Sequence, residues 1–324
     1  MQTLDSLLVG LRAAGEHTRL RILALCARGE LSVSELVRIL GQSQPRVSRH
    51  LKVMVEAGLL ERLPEGAQVF FRVADHAEVS GLARSLVELI PQSDVGLARD
   101  FSRLEQVRDA RAKRAQDYFQ TVARSWDSIR SLYVPQAQVE EKLLDIVGEQ
   151  RLDDLLDIGT GTGRILEILA DRVERGVGVD LSSPMLAVAR SNIERCGLAN
   201  IHFRHGDMYQ LPIEDMSVDL AVLHMVLHYS DDPCEAIREA GRVLRPGGRL
   251  VVIDFAAHTE ETLREEFQHH RLGFTDGEIR QCFSKAGLDA VSKVEQLVGD
   301  PLTVKFWLAG QPRKLKLLNS ASRA

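Results

Sequence analysis

The sequence predicts an α/β chain in two parts: a small N-terminal domain of short helices with a β-hairpin, then a larger domain built on a parallel sheet. Three observations predict it. Apolar residues recur at spacings of three and four over the first part. Two extended runs then flank a turn-forming cluster in LLERLPEGAQVFFRV. From Leu152 onward, short apolar runs are separated by helix-length segments. The chain has 324 residues, 44% of them apolar, enough for two or three domains at about 100 to 200 residues each. Its longest apolar stretches are strand-length pieces such as Leu250 to Phe255, far short of the roughly 18 residues of a membrane helix. The N-terminus carries Asp5 and an amphipathic pattern rather than a basic, apolar, cleavable leader. A cytoplasmic protein with no membrane partner is expected.

In residues 1–90, Leu4, Leu7, Leu8 and Leu11 form one helical stripe, and Leu20, Ile22, Leu23 and Leu25 a second that Gly29 ends. A third helix starts near Ser32, where Ser32 and Glu35 have capping-box spacing, and stops at Gly41. After the turn GQS, QPRVSRHLKVMVEAG predicts a fourth helix, with Pro45 in its first turn and Gly58 at its end. Helix, three-residue turn and helix is the spacing of a helix-turn-helix, whose second helix enters the DNA major groove. Val47, Leu51 and Met54 or Val55 face inward, leaving Gln44, Arg46, Ser48, Arg49 and Lys52 outward as donors for phosphates and guanine edges. The runs around Pro64, Glu65 and Gly66 supply a wing. Charge agrees mildly: residues 1–134 hold 19 Lys+Arg against 16 Asp+Glu, and residues 135–324 hold 22 against 30.

From Gly10 to Val73 the chain resembles the ArsR/SmtB family of bacterial repressors, on its QSxVSxHLxxLxxAGL-like pattern followed by a wing. The resemblance implies Gln44, Ser48, Arg49, His50 and Lys52 at or near double-stranded operator DNA, bound by a homodimer. Where the family's metal sensors place cysteines, this chain reads ELSVSEL, with Ser32 and Ser34. A hydroxyl is a poor ligand for soft metals. In the last family helix only Asp75, His76 and Glu78 cluster. A sensor without metal is therefore expected, its signal entering elsewhere. Cys26, Cys196, Cys234 and Cys282 are dispersed, signal neither a disulfide framework nor a thiolate site, and read as small core residues.

Residues 91–134 follow Pro91 as a helical linker with both charge signs at helical spacing. Tyr118, Phe119 and Trp126 concentrate three of the chain's 16 aromatic residues there, either as a lid over a neighbouring pocket or as a staple.

The second domain, residues 135–310, reads as a Rossmann-like sheet of about seven strands, the tail 311–324 being a flexible extension. LLDI, GVGVD, IHFRHG, VDLAVLH and RLVVIDF are the strand runs, each expected to precede a helix; pieces near Asp289–Leu297 and Leu302–Leu308 add an edge hairpin. The first strand ends in DIGTGTG, so Gly159, Gly161 and Gly163 sit where a strand becomes a helix and backbone can approach a ligand. The second strand ends in Asp180, placed to accept ribose hydroxyls. Gly206, Asp207 and Met208 follow the third, where a carboxylate can accept from an adenine amino group. The NAD fingerprint GxGxxG differs from this GxGxG, and no Walker lysine motif occurs.

With VDLAVLHMVLHY and EAGRVLRPGGRLVVIDF following in order, the segment from Tyr118 to Leu308 resembles class I S-adenosylmethionine-dependent methyltransferases. The resemblance implies S-adenosylmethionine or S-adenosylhomocysteine as the bound group. Asp157, Gly159, Gly161 and Gly163 would line its methionine side, Asp180 its ribose, and Asp207 with Met208 its adenine; Thr160, Leu181, Met185 and His224 complete the contacting set. Beyond the fourth strand, His224 and His228 are four apart, as on one helical face, and Tyr229 follows. They read either as base or acceptor clamp or as packed polar residues. HMVLH lacks the glutamate of a zinc HExxH motif, and the dispersed cysteines do not reproduce an arsenic-binding set. His269 and His270 are further candidates for the same cavity. The expected function is a DNA-binding transcriptional regulator, of repressor type, whose C-terminal domain binds the adenosyl ligand. The alternative is an active small-molecule methyltransferase carrying a DNA-binding domain.

Overall fold

The computed structural model describes residues 3–65, 68–74, 80–91, 93–130, 135–267, 269–289, 293–300 and 302–312. The chain forms two compact units, one of Met1–Tyr118 with Ser183–Ala199, the other of Phe119–Ser182 with Asn200–Ala324.

The first unit holds α1 (Leu4–Ala14), α2 (His17–Cys26), β1 (Leu31–Ser32), α3 (Val33–Leu40), α4 (Gln44–Glu56), β2 (Leu60–Glu65), β3 (Gln68–Val73), α5 (Ser80–Leu89) and the start of α6 (Val95–Arg130). Ser32 caps α3 reciprocally: its hydroxyl accepts from Glu35 N–H, and the Glu35 carboxylate accepts from Ser32 N–H at 2.8 Å. Gly41 closes α3 in the left-handed region at φ 65°. Spacings of three and four residues place Leu36, Ile39, Val47, Leu51 and Met54 in one core with Ile22, Leu23, Phe71 and Leu104. The wing carries an unforeseen third strand: Leu31 and Ser32 pair with Phe71 and Phe70, giving sheet order β1-β3-β2. Pro64 and Glu65 lie in β2 rather than in the turn, because their ladder with Val69 and Gln68 continues to the strand end. Gly66, Asp75, His76 and Glu78, and the side chains of Tyr118, Phe119 and Trp126, lie outside the described residues.

The remaining elements are α7 (Gln136–Val147), β4 (Leu152–Ile158), α8 (Arg164–Leu169), β5 (Val173–Asp180), α9 (Ser183–Arg195), β6 (Ile201–His205), β7 (Val218–His224), α10 (Pro233–Val243), β8 (Leu244–Phe255), α11 (Thr262–Phe267), α12 (Asp276–Lys285), β9 (Lys293–Leu297) and β10 (Val304–Gly310). Of these, α9 falls in the first unit. The seven strands order as β6-β5-β4-β7-β8-β10-β9. The five from β4 to β8 pair in parallel, and β10 runs antiparallel between β8 and β9, which is the expected edge hairpin. One expectation fails: residues 206–217, between β6 and β7, form turns instead of a helix, since Gly206 at the start and Pro212 in the middle interrupt any helical run in so short a segment. The sheet core gathers Leu156, Leu223, Val252, Phe274, Phe283 and Trp307. The indole N–H of fully buried Trp307 donates to Asp276 at 3.0 Å.

The cysteines depart from the sequence reading. Cys234 of α10 and Cys282 of α12 form a disulfide across 48 residues, a pairing their separation does not signal. Cys196 is exposed rather than core. Cys26 is buried as expected, with its thiol pushed up to about 12 by desolvation, and Cys282, though disulfide-bonded, is likewise a core residue. No helix among the described residues is long and apolar enough to cross a membrane.

Candidate functional site

In the first unit α4 buries Val47, Leu51 and Met54 and leaves Gln44, Arg46, Ser48, Arg49 and Lys52 exposed. The sequence-derived outward face is thus one continuous donor surface. His50 stands apart from it, half-buried with Nδ1 3.6 Å from the Glu16 carboxylate.

Helix α9 is held in the same unit by two arginines. Arg190, 5% exposed, donates from Nε to Glu30 at 2.9 Å and from Nη2 to Glu65 of the wing at 2.6 Å, with its guanidinium over the Phe70 ring. Arg111 of α6 bridges Glu194 at 2.7 Å and Glu35 at 2.8 Å. Glu35 is the residue that caps α3, so its negative charge is shared between the cap and Arg111, and it is held below the usual carboxylate range although burial opposes this.

In the second unit the sheet reverses order between β4 and β7, the place where parallel α/β sheets bind ligands at their carboxyl ends. The loop after β4 is anchored by Gly159 and Thr160 N–H donating to Val179 carbonyl at 2.8 and 3.0 Å. Two of its glycines serve different ends. A Cβ on Gly159 would lie 2.3 Å from the Val226 side chain, whereas one on Gly161, at φ 53°, would face open space. Gly161 is therefore the point of free backbone approach, and Gly159 a packing requirement. Asp180 at the tip of β5 accepts from Gly161 N–H and Ser182 N–H, both at 2.8 Å. Leu181 N–H is a third backbone donor to it, which leaves the carboxylate room for a further hydrogen bond; burial raises its pKa against these bonds.

Asp157, 1% exposed, accepts from the Thr160 hydroxyl at 2.6 Å. Burial pushes its carboxyl up to about 7, with Thr160 opposing and the Asp180 charge adding. Leu181 is an exposed apolar residue beside Asp180. Asp207 is exposed and accepts from Tyr209 N–H, while Met208 packs on the sheet core. Met185 is buried on α9, in the other unit.

Beyond β7 the helical-face reading of His224 and His228 is corrected. His224 ends β7, while His228 sits in a short 3-10 turn, Leu227–Tyr229. Met225 between them has φ 52°, an unusual conformation for a non-glycine residue. His228 Nδ1 meets Asp254 Oδ1 at 2.8 Å, and its backbone N–H donates to Oδ2 at 3.1 Å. Asp254 is fully buried at the end of β8. A carboxylate oxygen only accepts, so the assigned proton is on Nδ1. His269 stacks on His228 with ring centroids 4.0 Å apart, and Tyr229 and Phe255 flank the pair. Burial pushes His224 down to about 4 and His269 to about 3. Both ring nitrogens of His269 and Nε2 of His224 and His258 are buried without a partner among the described residues. His270 is instead exposed and pairs with Asp231. The sequence reading missed Asp254 and His258. An acid at the tip of the strand beside His224 was the available signal for Asp254.

Residues 16–62 match the bacterial regulatory protein, arsR family, and residues 156–252 match the methyltransferase domain. An arsenite methyltransferase of Aquipseudomonas alcaligenes is 40% identical over 113 residues, 32% of this chain and 33% of that protein. The uncharacterized protein YafE of Escherichia coli is 32% identical over 163 residues, 47% of this chain and 76% of YafE. The crystal structure of YcgJ from Bacillus subtilis aligns with a TM-score of 0.47 at 21% identity, over 54% of this chain and 99% of that one. The chain spans only 32% to 48% of the length of the first curated relatives it matches. It belongs to the methyltransferase-domain family and joins that domain to a helix-turn-helix of the bacterial arsR regulatory family.

Proposed function

We propose that this chain is a cytoplasmic transcriptional regulator, of repressor type, that binds double-stranded operator DNA as a homodimer and has its DNA affinity set by S-adenosylmethionine or S-adenosylhomocysteine. The observation that carries this reading is the clamp on α9. This helix begins at Ser183, directly after Asp180, Leu181 and Ser182, and its Arg190 is buried between Glu30 and Glu65 of the DNA-binding unit. The residue assigned to the ribose is thus joined by a few peptide bonds to a helix fixed on the wing.

The residues fit the adenosyl group. Gly161 offers unobstructed backbone, Asp180 retains acceptor capacity for a ribose hydroxyl beside its three backbone donors, and the Asp157 carboxyl can meet an ammonium. Asp157, Gly159, Thr160, Gly161 and Gly163 would hold the methionine side, Asp180 and Leu181 the ribose, and Asp207 with Met208 the adenine. His224 is the remaining member of the set. When bound, the sulfonium form supplies an activated methyl group. Asp180 also accepts from Ser182 N–H. Hydroxyls arriving at its carboxylate redistribute that bond, and α9 starts one residue later. A ligand that binds one setting of α9 better than the other shifts DNA affinity by that differential alone.

DNA contact is assigned to Gln44, Arg46, Ser48, Arg49 and Lys52, with His50 at the margin because of its Glu16 contact. The test is fluorescence anisotropy of an upstream DNA fragment, with and without S-adenosylhomocysteine, in the wild type and Glu65→Gln. A ligand-dependent affinity in the wild type that shrinks in the variant is expected. Equal affinities with and without ligand in the wild type refute the regulator.

A further inference from the structure

We propose that His228 and Asp254 form a proton-accepting dyad for a methyl acceptor, and that the acceptor is a planar small molecule bearing a phenolic or enolic O–H. The inference adds an activity to the regulator. It rests on the adenosyl-ligand reading, and not on DNA binding.

The geometry is that of an oriented base. Asp254 fixes the imidazole twice, through Nδ1 and through the backbone N–H of His228. It also accepts from its neighbour Phe255 N–H at 2.8 Å, so the carboxylate cannot turn away. Nε2 of His228 takes no protein partner among the described residues. Stacking on His269 and contact with Tyr229 and Phe255 restrict rotation of the ring and surround it with flat surfaces. His269 and His224, neutral through burial, add no positive charge that would oppose proton uptake, and His258 is lowered in the same way. Among the described residues no three His, Cys, Asp or Glu converge as metal ligands, so the imidazoles are not arranged as a metal cage.

A cavity follows the dyad's turn along the chain. Ser230 and Asp231 follow the dyad's turn, and His270 and Arg271 donate their backbone N–H groups to His228 carbonyl. These four residues help line a cavity of about 330 Å³, the size range of small-molecule sites.

The need for a base selects the chemical class. A carboxylic acid, ionising near ~4, is already an oxyanion at neutral pH, whereas a phenol, near ~10, is not. Only the latter gains from proton removal in the transition state. In the transfer the acceptor oxygen gives its proton to His228 Nε2. Its lone pair forms the O–CH3 bond as the methyl C–S bond breaks, and that bonding pair returns to sulfur. The products are a methyl ether, S-adenosylhomocysteine and an imidazolium whose charge Asp254 offsets until the proton passes to water.

The test uses the full chain with 4-methylphenol, methyl-labelled S-adenosylmethionine, and calorimetry of S-adenosylhomocysteine for every variant. Labelled methyl ether is expected from the wild type. His228→Gln should lower kcat by about 10²- to 10⁴-fold, keep its S-adenosylhomocysteine affinity, and recover rate at high pH, where the phenol ionises unaided. Asp254→Asn, a change at a positioning residue, should lower kcat with KM retained and displace the pH profile. Nitrogen-15 spectra of the wild type without methyl donor should place the His228 proton on Nδ1. Absence of transfer with ligand binding intact, an unaltered His228→Gln pH profile, or a proton on Nε2 overturns the dyad. Failure to bind S-adenosylhomocysteine overturns the adenosyl reading beneath it as well.

Discussion

Replacing Arg190 with methionine should destabilise the first unit by about 3–5 kcal/mol, the cost of removing one partner from a buried ion pair. The structure places the site at the strong end of ion pairing. Arg190, Glu30 and Glu65 are 5%, 6% and 6% exposed, and the contacts of 2.9 and 2.6 Å have charge-assisted geometry. Methionine fills much of the stem volume. The loss therefore reports the two carboxylates left in a poorly hydrated setting, and not a large void. The triple variant Arg190→Met, Glu30→Gln, Glu65→Gln removes the charges together and should recover most of it. At ~1.4 kcal/mol per decade, a loss of about 3 kcal/mol is roughly a hundredfold change in the unfolding constant. Urea denaturation of the full chain, followed by far-ultraviolet dichroism and by amide hydrogen exchange of the first unit, measures it, since Trp126 and Trp307 both lie in the second unit. A loss below ~1 kcal/mol, the range of exposed pairs, would refute the clamp.

Further outcomes follow from the same geometry. Asp180→Ala should weaken S-adenosylhomocysteine binding at least about tenfold and leave ligand-free DNA binding intact, while Arg49→Ala should cost about 1–3 kcal/mol of DNA affinity and leave ligand binding intact; calorimetry and anisotropy separate the two. Asp157 carries a raised folded-state pKa of about 7. The native state therefore holds a proton that the unfolded chain releases between ~4 and about 7, and the stability from this group is present at low pH and lost as pH rises through that window. Asp157→Asn should accordingly gain stability relative to the wild type at pH 8 compared with pH 5, by at most about 3 kcal/mol; equal differences at both pH values would remove Asp157 from the account. If an ammonium meets Asp157, S-adenosylhomocysteine affinity should also rise as pH passes upward through about 7. Reducing the Cys234–Cys282 bond, which closes 48 residues, should cost about 2–4 kcal/mol, and Cys234→Ser should make stability insensitive to reductant.

Local rules made most of the architecture readable. The Ser32–Glu35 capping box, Gly41, and the inward stripe Val47, Leu51, Met54 are settled within one or two helical turns, where spacing and capping chemistry act. The β4 loop and the tip of β5 were legible because glycines after one strand and an acid after the next are consequences of the parallel fold. The rest depends on residues brought together from afar. Asp254 hides inside an apolar strand run and acquires meaning only beside His228, 26 positions earlier. Arg190 looks like any helix-face cation until it meets Glu65, 125 positions away, and Glu30, 160 away. His224 and His228 misled because a spacing of four implies one face only on a helix, and the chain leaves β7 through Met225 in a left-handed conformation instead.

The most direct test of the central claim is calorimetric titration of the full chain with S-adenosylhomocysteine, with and without DNA from its own upstream region, beside titration of the DNA with and without ligand. Coupling is reciprocal, so the two affinity changes must be equal in the wild type, and both should shrink in Arg190→Met. Tight binding of each partner with neither affecting the other would contradict the account.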